Sequence, residues 1–254
     1  MAKTLFLSAP LVFVLASGCI DATQKPCVEP GGAAASTSPG AATPAAAVAT
    51  GPVKGCANPA ANPDGLVDDF EDGNSQAAVI DNRDGYWWTH HDPNGSTINP
   101  EKFAPEDGGF NGSGKALHVQ GKTSSAQGAY GSSIGLNLSN NGLYDASKYA
   151  GISFKAKVGA AGTKNVRFKI GDVNTHGQLG QCKSCWNHFG KDLELSTEWK
   201  EYRVMFAEAE QGKGWGDPRP KNVTPSQLAS IDFTVGPGLN FDLWVDDVQL
   251  LTCP

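Results

Sequence analysis

The chain has 254 residues and a net charge of −6, with 20 basic residues set against 26 acidic ones. No block of Lys or Arg breaks that balance, which argues against a nucleic-acid partner. All six tryptophans lie beyond residue 64, in a stretch long enough to bury one sizeable core.

The chain opens with Lys3, an apolar run from Leu5 to Ala16, and the small residues Ala16, Ser17 and Gly18 ahead of Cys19. A positive start, an apolar centre and a small-residue site predict an export signal over residues 1–18. The run is shorter than the roughly 20 apolar residues that a spanning helix needs. Its end resembles a bacterial lipobox, although Leu15 stands one position too far from the cysteine and Ala16 takes the usual place of Leu. The resemblance implies diacylation of Cys19 and an N-terminal lipid anchor in the membrane. Ile20, in place of Asp after the cysteine, points to an outer-membrane lipoprotein, displayed at the cell surface or on the periplasmic side.

Residues 19–64 contain almost nothing that could bury, and no Phe, Tyr or Trp stands between Phe13 and Phe70. Such a segment cannot offset its own ordering entropy and reads as an Ala/Pro/Gly-rich tether.

Residues 65–254 form the predicted folded domain. Leu117 and Val119 alternate with polar neighbours, as do Ile152, Phe154, Ala156 and Val158, and then Val166, Phe168 and Ile170. The same period recurs at Tyr202, Val204 and Phe206, and at Ile231, Phe233 and Val235. Period two means strands with one buried and one solvated face. Thr224 followed by Pro225, with Leu228 inside, reads as the start of one short helix. About ten strands and that helix predict an all-β antiparallel β-sandwich of the jelly-roll kind.

An exported chain favours disulfides. Cys56 and Cys253 stand at the two ends of the domain and could staple them, while Cys182 and Cys185 could close a short loop. Cys27 competes for Cys56, so the connectivity stays open. His176, Cys182, Cys185 and His188 would also suit tetrahedral zinc, but outside the cytoplasm the disulfide is the stronger reading. A c-type haem attachment needs His directly after the second Cys, where Trp186 stands.

Two acidic clusters bracket the domain, Asp68, Asp69, Glu71 and Asp72 at its opening and Asp246 with Asp247 near its end. By spacing alone they are either solvated strand ends or, if the first and last strands are neighbours, a site for a hard cation. The stretches Gly65–Asn74 and Phe241–Leu250 resemble the opening and closing strands of family-11 and related galactose-binding-like carbohydrate-binding modules. Gly151–Lys157 and Thr197–Tyr202 are similar to the strands between them, in the same order. That resemblance implies a jelly roll with a structural calcium held by Glu71 and by Asp246 or Asp247, with Asp247 preferred and Asp69 as a weaker ligand. It also implies a polysaccharide of the β-glucan class as partner.

Flat rings stack on the C–H faces of sugars, so the aromatics are the candidate ligand contacts. Alternation places Tyr86 and Trp88 on one face of a strand and Trp87 on the other. Trp186, His188 and Trp215 sit on loop-like stretches, the last among Gly212, Gly214 and Gly216. The outward Lys155, Lys157, Arg167 and Lys169 would instead attract an acidic glycan. Glycoside hydrolysis needs two carboxylates facing each other across a bond. Glu208 with Glu210, and Asp192 with Glu194, share a face and would repel. The expectation is therefore a lipid-anchored, non-catalytic polysaccharide-binding protein. A glucan-acting hydrolase on a β-sandwich and an envelope adhesion or scaffold protein are the competing readings.

Overall fold

Apolar and polar side chains alternate along the chain, and the strands follow that alternation. A computed structural model describes residues 56, 58–217 and 221–253; the export signal, Cys19, Cys27 and most of the tether lie outside the described residues. The strands are β1 (Ala60–Asp68), β2 (Trp87–His91), β3 (Thr97–Asn99), β4 (Glu106–Asp107), β5 (Lys115–Lys122) and β6 (Ser132–Asn137). They continue with β7 (Gly151–Val158), β8 (Asn165–Asp172), β9 (Phe189–Glu194), β10 (Lys200–Met205), β11 (Leu228–Val235) and β12 (Asn240–Thr252). One sheet runs β10–β7–β12–β5–β3, with β1 added on β12 and β4 on β5; the other runs β2–β6–β11–β8–β9. The described pairs are antiparallel, so a sandwich with one inner and one outer face per sheet results.

The core forms where the inner faces meet. On β7, Ile152, Phe154, Ala156 and Val158 are buried while Lys155 and Lys157 are not. The Phe154 ring reaches across to the second sheet, 5.0 Å from Phe168 and 4.8 Å from Phe233 between centroids. Burying each such ring contributes about 1.5–3 kcal/mol. Truncating Phe154 to Ala would cost about 3–5 kcal/mol, because the neighbouring rings cannot close the gap.

Three features depart from, or complete, the sequence reading. The helix expected at Thr224 is a single 3-10 turn, Pro225–Gln227. Proline presets the first turn, but Leu228 already belongs to β11, and ladders with β6 and β8 take up the following backbone groups. The four outward cations do not share a face, because β7 and β8 belong to different sheets. Each is also engaged: Lys155 with Glu201 at 2.7 Å, Arg167 with Asp192 at 2.9 Å, Lys169 with Asp232 at 3.7 Å. Lys157 lies 4.9 Å from the ring centroids of both Trp199 and Trp244. Finally, antiparallel pairing sets Ala60 opposite Thr252 and brings Cys56 and Cys253 within disulfide reach. That bond and the Cys182–Cys185 bond are both formed, with Cα separations of 5.5 and 5.2 Å.

Candidate functional site

The outer face of the five-stranded sheet carries side chains in registered rows. One row crosses all five strands as Trp88, Gly135, Asp232, Lys169 and Gly190. The next runs His90, Ser133, Thr234, Arg167 and Asp192. Hydrogen bonds tie neighbours together: Ser133 and Thr234 hydroxyls are 2.8 Å apart, and Thr234 donates to Asp232 at 2.6 Å. The result is a polar floor with fixed donors and acceptors and no unpaired cation along these rows.

Rings stand at the two ends of this floor. At the β2 end, Trp88 lies over Gly135, and its indole N–H donates to Asn137 at 3.1 Å. Beside it, His90 stacks on Tyr130, with ring centroids 5.8 Å apart and the Tyr130 hydroxyl 2.8 Å from His90 Nε2. Tyr130 is 53% exposed, yet its backbone is fixed: the buried Asp92 carboxylate accepts from the amides of Tyr130 and Gly131 and from the Ser96 hydroxyl. Burial pushes the Asp92 carboxyl upward, but those donors, with the Asn94 amide, outweigh it and hold the group at about 2. Sequence reasoning missed Tyr130. The signal was present, since Tyr130 stands between Gly128 and Gly131, the same glycine flanking that drew attention to Trp215.

At the β9 end, His188 packs against Gly171 and faces the Thr175 hydroxyl at 2.9 Å. The His176 ring stacks on it at 5.9 Å, and Trp186 meets both edge-on. Burial pushes His188 down to about 4, against an upward pull from Asp232, and lowers His176 as well. Both imidazoles are therefore neutral at pH 7. Trp186 and Trp215 are 50% and 56% exposed.

The remaining sequence candidates separate cleanly. Trp87 is only 4% exposed and joins Phe70 and Phe103 in the core, its indole N–H donating to Asp68 at 2.7 Å. It is no surface contact. Tyr86, one residue earlier, is exposed. With their sulfurs joined in a disulfide, Cys182 and Cys185 are not thiolate ligands beside His176 and His188.

The two acidic clusters do meet, because β1 pairs with β12. Glu71 accepts from the amides of Gly114 and Lys115 at 3.0 and 2.8 Å. Asp246 accepts from the Phe110 amide at 2.6 Å and the Ser113 hydroxyl at 2.8 Å. Asp247 sits in a left-handed backbone conformation, φ 48°, where the β12–β7 register breaks. Burial raises its carboxyl, Asp246, Asp69 and Glu71 raise it further, and Lys155 opposes them. Among the described residues no three of these side chains close into a ligand set. As a donor set, hard carboxylate oxygens are nevertheless of the kind that calcium takes.

A cleft of about 670 Å³ is lined by Asp81, Asn82, Ser139, Tyr144 and Lys148, among others. Its one ring, Tyr144, turns its hydroxyl to Asp81 and Arg83 at 2.7 and 2.6 Å, which makes it a poorer platform than the sheet face.

No curated protein matches the sequence. Among solved structures, the chain is similar to the family 11 carbohydrate-binding module of a cellulosomal cellulase of Clostridium thermocellum. Identity is 18% and the TM-score 0.53, over 74% of this chain and 93% of that one. A family 11 module from the same organism, in complex with a β-1,3-1,4-mixed-linked tetrasaccharide, matches at 18% identity and TM-score 0.52, over 73% and 94%. These likenesses support the jelly-roll sandwich. Residues 76–252 match the model of carbohydrate binding domain 30, a span that includes every strand of the five-stranded sheet, and the chain belongs to that family.

Proposed function

We propose that this protein binds a neutral polysaccharide of the β-glucan class on the outer face of its five-stranded sheet, without cleaving it. The row Trp88–Gly135–Asp232–Lys169–Gly190 carries the reading: a flat ring followed by a polar floor whose charges neutralise one another. An apolar ring suits a sugar's C–H face, and fixed polar groups suit its hydroxyls. Family membership supports carbohydrate binding, and a structural relative holds a mixed-linked glucan fragment. The carboxylates near the face are engaged with cations, Asp192 with Arg167 and Glu208 with Lys191, and do not present an opposed pair.

Affinity electrophoresis in gels containing β-glucan tests this. Retardation that persists at high salt and falls in Trp88→Ala supports it, because ring stacking is hardly screened by ions. Retardation only by acidic polysaccharide and abolished by salt, or release of reducing sugar, would overturn it.

Two further parts belong to the same proposal. Cys19 carries lipid and displays the domain on a tether from the envelope. A calcium ion joins the segment just after β1 to β12 through Asp247 and the lone pairs that Glu71 keeps free, with Asp69 the weaker ligand, since a carboxylate offers about four acceptor sites.

A further inference from the structure

The chain between β10 and β11 does something the sheet order alone does not reveal. Glu210 exchanges both backbone hydrogen bonds with Gly190, each 2.9 Å. It thereby adds one strand position beyond β9 and continues the row that begins at Trp88. Arg167 donates to the Glu210 carbonyl at 2.5 Å and fixes this edge. From β2 to β9 the face spans roughly 19 Å, and the Glu210 position adds about 5 Å more.

Past Glu210 the chain is bound to the segment that precedes β9 through one buried side chain. Asn187, 3% exposed, donates from Nδ2 to the carbonyls of Gly212 and Trp215, at 2.8 and 2.6 Å. Its Oδ1 accepts from the Gly212 amide at 2.8 Å, and its own carbonyl accepts from Gln211 Nε2 at 2.9 Å. A Cβ at Gly216 would stand 2.5 Å from Asn187 Cβ, so the loop wraps this residue closely. The other half of the arm is tied by the Cys182–Cys185 bond and by the Trp186 amide donating to Thr175 at 2.8 Å. The Trp186 ring covers Gly177 and touches His188, which faces the sheet floor. Two half-exposed tryptophans thus ride on loops that would otherwise lose much entropy on being ordered.

We infer that residues 176–188 and 210–217 form an arm that extends the sugar-binding face past β9. Trp186 and Trp215 serve as added ring platforms for a longer neutral glycan chain, and Asn187 is the positioning residue that holds them. The inference rests on the glycan-binding reading above and deepens it: the site takes internal stretches of a polymer, and affinity grows with chain length until the arm is reached.

Calorimetric titration of the purified full chain with linear gluco-oligosaccharides of increasing length separates the two levels. Wild-type affinity should rise with length. Trp215→Ala should leave the shortest bound oligosaccharide unaffected and weaken the longest by about fivefold, the scale of one aromatic contact. Asn187→Ala should show the same length-selective loss with both tryptophans in place, whereas a general loss of fold would weaken every length equally. Losses equal at all lengths, or none in Trp215→Ala and Trp186→Ala, would overturn the arm and leave the sheet site standing. Failure of the wild type to bind any oligosaccharide or β-glucan would instead remove the reading beneath it.

Discussion

The indole of Trp88 lies across Gly135 so closely that a Cβ on the glycine would stand 2.3 Å from Trp88 Cζ2. Gly135 is in extended backbone, so Ala fits the strand, but the ring must lift. Gly135→Ala should therefore break the Trp88–Asn137 hydrogen bond and lower glucan affinity by about tenfold. The melting temperature should move only slightly, since the clash is with a surface ring. Titration and thermal unfolding of the same variant check both halves.

His188 sets a pH dependence of stability. Burial lowers its folded value to about 4 from 6.5, so the unfolded chain takes up a proton first as the solution is acidified. The His188 contribution is complete above pH 6.5 and falls as pH drops toward 4, while buried Asp68, its carboxyl raised to about 7 from 3.8, contributes the opposite slope over the same window. Melting temperatures of wild type and His188→Gln measured side by side from pH 4 to 8 isolate it: relative to its own value at pH 8, the variant should lose less stability than wild type on acidification below pH 6.5. Asp92 acts in a lower window. Its carboxyl is depressed to about 2 from 3.8, so its contribution is intact above pH 3.8 and is lost only as pH falls toward 2.

A calcium ion bound to the folded form alone would stabilise it through mass action. EDTA should then lower the melting temperature and added calcium restore it. Asp247→Ala should melt earlier than wild type and ignore both. Identical melting curves with and without chelator would leave the carboxylates as anchors of the 108–115 loop only.

The Cys56–Cys253 bond joins residues 197 apart in sequence, and so constrains the unfolded chain far more than the Cys182–Cys185 bond does. Cys253→Ser should cost about 2–5 kcal/mol in urea unfolding. Cys185→Ser should cost much less globally, and its effect should appear in binding of long glucans through Trp186.

Lipidation is checked by fractionation. Cys19→Ala should move the protein from the membrane fraction to the soluble one, and an unchanged distribution would refute the anchor.

Strand existence in β5, β7, β8, β10 and β11 was legible, because period-two alternation is a local property of the chain. Alternation says only that one face is buried. It does not say which sheet a strand joins, so Lys155 and Lys157 looked like neighbours of Arg167 and Lys169 until pairing put them on opposite sides of the sandwich. The same limit applies to Trp87 and Trp88. Their opposite directions follow from sequence, but which ring enters the core was decided by pairing Trp87 with Leu136 on β6. The family-like motifs at Gly65–Asn74 and Phe241–Leu250 anticipated the jelly roll, and the end-to-end disulfide followed once β1 met β12. The helix start at Thr224 was a sound local signal overruled by two long-range ladders. The anchoring of Tyr130 by Asp92 and the role of Asn187 were illegible for a different reason: each depends on partners dozens of residues apart, Asp92 with Tyr130 in one case and Asn187 with Gly212 and Trp215 in the other. Local chemistry wrote the strands and named the rings, while contacts distant in sequence determined which rings face water and what holds them there.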